Sequence, residues 1–400
     1  MDELFKVTKL NYEDRIDNLK SEAHGKVKST KYFPIYEINN RKMIFKPLSK
    51  TKPLLTPFFA YSEVYWSYII KNYFDKNAPQ YSLAISKGIE EDTPKYYEKG
   101  VLVDSITPND EKMINIYDYF LEHKEDSVNI ENYTNYCMTN YDYTKILSSD
   151  FIKNNEEIGK ELSKQILLSI LRCDQNFHYE NINIYQDNDS FRIAPPIDFE
   201  FSSFFLFLDD TLRNKDTLEE YKESISITKT EDKVLTLLLS GTNFEITSIL
   251  TKNICLIVKM YPDLVLEFIN KLDKLIEDLP NIVINDPDNF ISAFSSKSWE
   301  ANYALFKENN LEKYDLLKND IKLKSIDKYK IFKYINNNIL EFAKCYCLIL
   351  KIYLISYYNG IIDLENLYLE KLYDKLNIDI ESDIEDVDIN NKKIILKKDF

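Results

Sequence analysis

Glycine is scarce in this chain, with six residues in 400. A phosphate loop built from several glycines therefore has few candidate positions. Histidine is rarer still. His24, His123 and His178 lie far apart in sequence, which gives a zinc site little support. The five cysteines, Cys137, Cys173, Cys255, Cys345 and Cys347, are irregularly spaced and contain no C-x-x-C pair. An odd, unpatterned set fits free thiols in a reducing compartment better than a disulfide framework. Positive charge is in deficit: the net charge is −15. That balance denies the chain the global attraction that phosphate neutralisation requires, and no direct nucleic-acid binding is expected. Long apolar runs are missing too. The most apolar stretch, Cys345 to Tyr358, is interrupted by Lys351 and falls short of the ~20 residues a bilayer span needs. It reads as a buried helix, and no membrane association is expected. Met1-Asp2-Glu3-Leu4-Phe5-Lys6 lacks the pattern of a signal peptide, so a cytoplasmic location is expected.

The composition that remains is 44% hydrophobic and 14% aromatic, enough for a sizeable core. Four hundred residues allow two or more domains, or one large bilobal one. The β-prone runs Tyr32 to Ile38 and Arg41 to Lys46 flank Asn39-Asn40, a turn dipeptide, and predict a hairpin. Thr56-Pro57 supplies an N-cap and a first-turn proline for a helix running to about Phe74. Strands are expected at Tyr81 to Ile85 and Lys99 to Val103. Ile114 to His123 and Glu156 to Leu171 have apolar residues at three- and four-residue spacing and predict helices. In the second of these, Ile158, Leu162, Ile166, Leu167 and Ile170 form the buried stripe. Residues 182–186 and 191–194 predict another hairpin. Beyond about residue 215 the pattern is helical, ending in a long helix from Asp327 to Tyr358. The acidic cluster Glu381 to Asp388 predicts a loose tail or an edge strand at Ile394 to Leu396. The fold expected is α+β and bilobal. It has a small β-rich lobe over 1–105, a helical lobe over 106–375 and an acidic tail over 376–400, with a ligand cleft between the lobes.

Several charged residues stand where their surroundings make them conspicuous. Asp198 lies in Ala194-Pro195-Pro196-Ile197-Asp198-Phe199-Glu200-Phe201-Ser202, where Glu200 is the other charge. An unpartnered carboxylate among apolar neighbours is costly, and a metal ion would resolve that cost. Asp174 and Asn181 lie between a predicted buried helix and a predicted strand. One carboxylate to take a proton, with an Asn and a second Asp to hold magnesium on ATP phosphates, is the equipment of phosphoryl transfer. Either loop residue alone is equally at home in an ordinary turn. Lys46 ends a strand before Pro47, which holds it extended. It suits a grip on phosphates or a solvent-facing position. Glu63 is the lone charge between Lys52 and Lys71 in an aromatic helix. It must face water or meet a cation such as Lys46. Gly25 would let backbone amides approach a phosphate, or form a plain turn. Residues 26–53 carry eight basic side chains against Glu37, giving either a phosphate-facing surface or a solvated face.

Taken together, Gly25, Ile44-Phe45-Lys46-Pro47, Glu63, Asp174/His178/Asn181 and Ala194-Pro195-Pro196-Ile197-Asp198-Phe199 resemble the HipA-like bacterial serine/threonine kinases, relatives of protein and phosphoinositide kinases. The resemblance spans roughly residues 20–310. It implies a protein-kinase-like fold, ATP and magnesium as cofactors, a protein substrate, and a cognate antitoxin or regulator as partner. It also implies Gly25 and Lys46 on the phosphates with Glu63 behind the lysine. The segment Val101 to Ser105, with Val101 and Val103, would then meet adenine. Asp174 would be the base with Arg172 beside it, and Asn181 and Asp198 the magnesium ligands. One departure bears on activity. The family pattern is D-x-H-x-x-N. Aligned without gaps on His178 and Asn181, the base position holds Asn176, which cannot accept a proton as a carboxylate does. Aligned on Arg172-x-Asp174, the loop carries two extra residues and Asp174 is the base. Glu200 also replaces the glycine of the D-F-G segment. An active kinase, a pseudokinase acting as a nucleotide-binding interaction module, and a small-molecule or lipid kinase are all compatible with these residues.

Overall fold

The computed structural model describes residues 6–11, 14–16, 34–47, 56–87, 97–104, 112–123, 143–172, 174, 177, 181–187, 190–197, 199, 244–282, 384–388 and 393–396, with eight helical positions between 343 and 358. Strands β1 (Val7–Leu10), β2 (Arg15–Ile16), β3 (Ile35–Ile38), β4 (Arg41–Pro47), β5 (Tyr81–Lys87) and β6 (Tyr97–Asp104) form one six-stranded sheet. Its order is β1-β5-β6-β4-β3-β2. All neighbours are antiparallel except β1 and β5, which run parallel. The β3–β4 hairpin turns at Asn39 and Asn40, both left-handed at φ 52° and 61°. Asparagine tolerates that region better than most side chains, and the turn's twist matches the strands it joins.

Helix α1 (Thr56–Ile69) follows β4 and extends as a π-helical turn over Ile70–Phe74. The turn closes where the Asp75 N–H donates to the Ile70 carbonyl at 2.7 Å. Every residue from Tyr61 to Ser67 is buried, so this helix is enclosed on all sides rather than along one stripe. One face covers the sheet residues Ile44, Leu83, Val101 and Val103, which share its core cluster. The other meets the helical part of the chain, and Phe74 packs on Phe268 with ring centroids 4.8 Å apart.

Among the described residues after β6, helical structure dominates. Strand β7 (Lys112–Asn115) leads into α2 (Ile116–His123). Residues 114 and 115, expected to be helical, are therefore strand. Their apolar spacing fits both periods, and pairing of β7 with β8 (Asn183–Asp187) decides the matter. Asn115 then caps α2, its Oδ1 accepting the Asp118 N–H at 2.7 Å. Short helices α3 (Thr144–Leu147) and α4 (Asp150–Asn154) precede α5 (Glu156–Leu171), whose stripe from Ile158 to Ile170 is buried as expected. Strand β9 (Ser190–Ile193) pairs antiparallel with β8 and completes a three-stranded sheet. Gln165 of α5 pins the chain as it leaves β9, donating to the Ala194 carbonyl at 2.6 Å. Helices α6 (Phe244–Met260) and α7 (Pro262–Asp278) meet at Tyr261, with Pro262 opening α7. The described positions from Ala343 to Tyr358 are helical and largely buried, as that apolar stretch predicted.

A single apolar cluster runs from Val7 and Ile44 in the large sheet, through α1, to Leu272 and Leu354. The architecture is α+β, a sheet-rich lobe joined to a helical one. At their junction Lys164 of α5 pairs with Asp75 at 3.2 Å and also with Glu161. Burial works against the Lys164 charge, but the hydrogen bonds and charges of Glu161 and Asp75 prevail and hold its pKa above the usual lysine value. The acidic tail segment forms a hairpin of β10 (Ile384–Asp388) and β11 (Lys393–Leu396), so both of its arms are strands. Among the described residues no helix is long and apolar enough to cross a membrane.

Candidate functional site

Side-chain alternation along β4 puts Ile44 and Lys46 on the face that α1 covers and Phe45 on the other. Lys46 thus points at the helix, and its Nζ lies 2.6 Å from Glu63 Oε1. The glutamate side chain is 2% exposed, the lysine 13%. A carboxylate buried so deeply needs a cation and further hydrogen bonds. Glu63 has both, because its Oε2 accepts the Phe199 N–H at 2.8 Å. The neighbouring Ser62 Oγ donates to the carbonyl of the same Phe199 at 2.6 Å.

Phe199 is also held by its ring. Tyr81 of β5 meets it edge-on at 5.5 Å between centroids, and the Arg172 guanidinium lies 4.7 Å from its centre. Cation–π contact is strongest where water is excluded, as it is at this arginine. Arg172 ends α5 and bonds Asp174 Oδ2 at 2.5 Å. Both side chains are buried, at 1% and 2% exposure. The Asp174 N–H donates to the Ser169 carbonyl at 3.0 Å, so this loop turns tightly off the helix. Beyond it Tyr143 OH donates to the Phe177 carbonyl at 2.5 Å, and the Arg172 guanidinium stands 6.0 Å from the Phe177 ring. An unbroken series of contacts therefore joins Lys46 to Glu63, Phe199, Arg172 and Asp174.

Of the residues singled out in the sequence, Lys46, Glu63, Arg172 and Asp174 are brought together in this series. Phe199 carries it to within one residue of Asp198. Asn181 is buried and precedes β8. Val101 and Val103 are interior residues of β6, flanked by β4 on one side and β5 on the other, with their side chains in the core beneath α1. The strand runs on to Asp104, which pairs with Met43. Gly25, Asn176, His178, Asp198 and Glu200 lie outside the described residues. Ser62 and Tyr81 had no marker in the sequence, and Phe199 stood out as the neighbour of Asp198 without any sign of its contacts. A small polar residue in a helix and two aromatics among many do not announce a partner far along the chain.

A carboxylate with an asparagine amide offers hard oxygen donors, the type magnesium takes alongside phosphate oxygens and water. The Lys46 ammonium, steadied by Glu63 rather than neutralised in bulk solvent, suits a phosphate. Asn181 and Asp198, the metal ligands expected from the sequence, and the lysine are of the chemical type that a magnesium nucleotide takes. Among the described residues no three His, Cys, Asp or Glu side chains cluster as an all-protein metal site.

No family model matches the chain. No curated protein matches it significantly. Among solved structures it is similar to a Helicobacter pylori proinflammatory kinase, CtkA, at 12% identity and a TM-score of 0.39, over 75% of this chain and 94% of that one.

Proposed function

We propose that this chain binds ATP with magnesium and transfers a phosphoryl group to a serine or threonine hydroxyl of a protein, in the manner of the HipA-like kinases it resembles. The observation that carries the reading is the Lys46–Glu63 pair, at 2.6 Å, with the same glutamate bonded to the backbone beside Asp198. A strand lysine and a helix glutamate from distant parts of the chain meet, and the glutamate bonds the backbone next to Asp198, which supports a phosphoryl-transfer reading. Lys46 grips phosphate oxygens and Glu63 sets its direction. Asn181 and Asp198 hold the metal, which when bound neutralises charge on the phosphates. Gly25 lets backbone amides approach the phosphates. Asp174 accepts the hydroxyl proton, fixed in place by Arg172. A cognate regulator or antitoxin is the expected partner, and the cytoplasm the expected location.

A second reading has an observation of its own. A carboxylate 2% exposed and 2.5 Å from a buried guanidinium has little free capacity for a proton. On that reading Asp174 anchors the loop, Asn176 stands at the base position, and the chain is a nucleotide-binding interaction module. Turnover of radiolabelled ATP by wild type, Asp174→Asn and Asn176→Asp separates the two. The kinase reading expects transfer by the wild type and a loss of ~100- to 10,000-fold in Asp174→Asn, with ATP binding nearly intact. A wild type that binds ATP without transfer, and gains transfer through Asn176→Asp, establishes the second.

A further inference from the structure

We propose that Ser62 is a positioning residue for the metal-binding carboxylate of Asp198, acting through the backbone of Phe199. The inference rests on the nucleotide reading above. Phe199 belongs to no helix or strand, yet both of its backbone groups are bonded, its N–H to Glu63 Oε2 at 2.8 Å and its carbonyl to Ser62 Oγ at 2.6 Å. Consecutive side chains on a helix diverge by about 100°. Ser62 and Glu63, adjacent on α1, together bond both backbone groups of Phe199. The Phe199 N–H lies in the same rigid peptide plane as the Asp198 Cα and carbonyl. Its carbonyl lies in the next plane. Glu63 alone would leave the chain free to turn about Phe199; with Ser62 added, both planes that bracket the residue are held.

The bond differs from what other buried helical serines do: Ser163 of α5 has no hydrogen-bond partner among the described residues, and two others bond locally. Serine inside a helix usually bonds back to a carbonyl of the preceding turn. Ser67 of the same helix does so, to Val64 at 2.9 Å, and Ser169 of α5 does so, to Ile166 at 2.7 Å. Ser62 is as deeply buried as Ser67 but sends its proton 137 residues along the chain. Without the hydroxyl, the Phe199 carbonyl would stay buried and unbonded, and the segment would shift to relieve it.

The test uses the full chain as wild type, Ser62→Ala and Ser62→Thr, with ATP binding followed by calorimetry across a magnesium titration. Amide exchange at Phe199 is measured without ligand. Ser62→Ala should raise the magnesium concentration for half-maximal ATP binding about five-fold, the worth of one ordinary hydrogen bond. Its affinity for ATP without magnesium should be unchanged, and Ser62→Thr, which keeps the hydroxyl, should restore the metal dependence. The Phe199 amide should be protected in the wild type and exchange at least ten times faster in Ser62→Ala. A folded Ser62→Ala with wild-type magnesium dependence and wild-type Phe199 protection overturns the proposal. If Ser62→Ala does not fold, the wild type decides: a Phe199 amide that exchanges like an exposed loop overturns the clamp, and a protected one supports it. A wild type that binds ATP equally with and without magnesium overturns this inference and the metal role of Asp198, and leaves nucleotide binding itself standing. A wild type that binds no nucleotide overturns the underlying reading, and this inference with it.

Discussion

Lys46 and Glu63 illustrate how much a single charge can disclose. Glu63 was legible because an isolated carboxylate in an aromatic helix must find water or a cation, and Lys46 because the following proline holds it extended. Their 2.6 Å contact meets both needs. The bond from Glu63 to Phe199 was not legible, since nothing local to either residue encodes a partner 136 positions away. The same geometry changes what a Lys46 substitution does. Removing the lysine leaves a carboxylate that is 2% exposed without its cation. Lys46→Met should therefore destabilise the protein by about 3 kcal/mol as well as weaken ATP binding. Adding Glu63→Gln, which still offers an oxygen to the Phe199 N–H, should recover more than half of the stability but none of the binding. Urea midpoints for the two singles and the double give the coupling directly. Equal losses in Lys46→Met and in the double variant would mean that the glutamate does not depend on the lysine.

Elements announced by short-range chemistry were readable, and those settled by distant pairing were not. Asn39-Asn40 marked the β3–β4 hairpin, and the apolar stripe marked α5 from Glu156 to Leu171. The last two residues of β7, Ile114 and Asn115, read as the start of a helix because only the ladder with β8 distinguishes the two periods. The parallel placement of β1 beside β5 has no local signal at all. Scarcity of glycine makes the glycines that strands retain informative. Gly100 sits in β6 opposite Pro47, and a Cβ there would stand 2.3 Å from the Lys46 carbonyl and 2.8 Å from the Phe45 ring. Backbone and a packed ring cannot both yield cheaply. Gly100→Ala should cost about 1–3 kcal/mol of stability, as overpacking generally does. Because the displaced atom belongs to Lys46, ATP affinity should fall with it. Wild-type affinity in a destabilised Gly100→Ala would show that β4 relaxes without moving the lysine.

At the scale of the molecule, one apolar cluster joins the large sheet, α1 and the later helices. Ligand energy delivered at Lys46 and Asp198 should therefore stabilise both lobes together. ATP with magnesium at about a hundred times its Kd should add about 2.7 kcal/mol to unfolding, in one cooperative transition. Calorimetric scans should show a larger upward shift with magnesium than without it, and Asp198→Ala should remove that difference. Two separate transitions, with one responding to nucleotide, would show that the lobes unfold independently. The enclosure of α1 also has a consequence for biosynthesis. The large sheet is complete once Asp104 has been made, and Lys46 and Glu63 can then meet. Phe199, which engages Ser62 and Glu63, and Phe268, which covers Phe74, are still untranslated at that point. At roughly 5–20 residues per second, the nascent N-terminal lobe must wait on the ribosome for seconds with an aromatic helix half uncovered. That interval is when a holding chaperone would find its substrate, and slow codons between Asp104 and Phe199 would lengthen it.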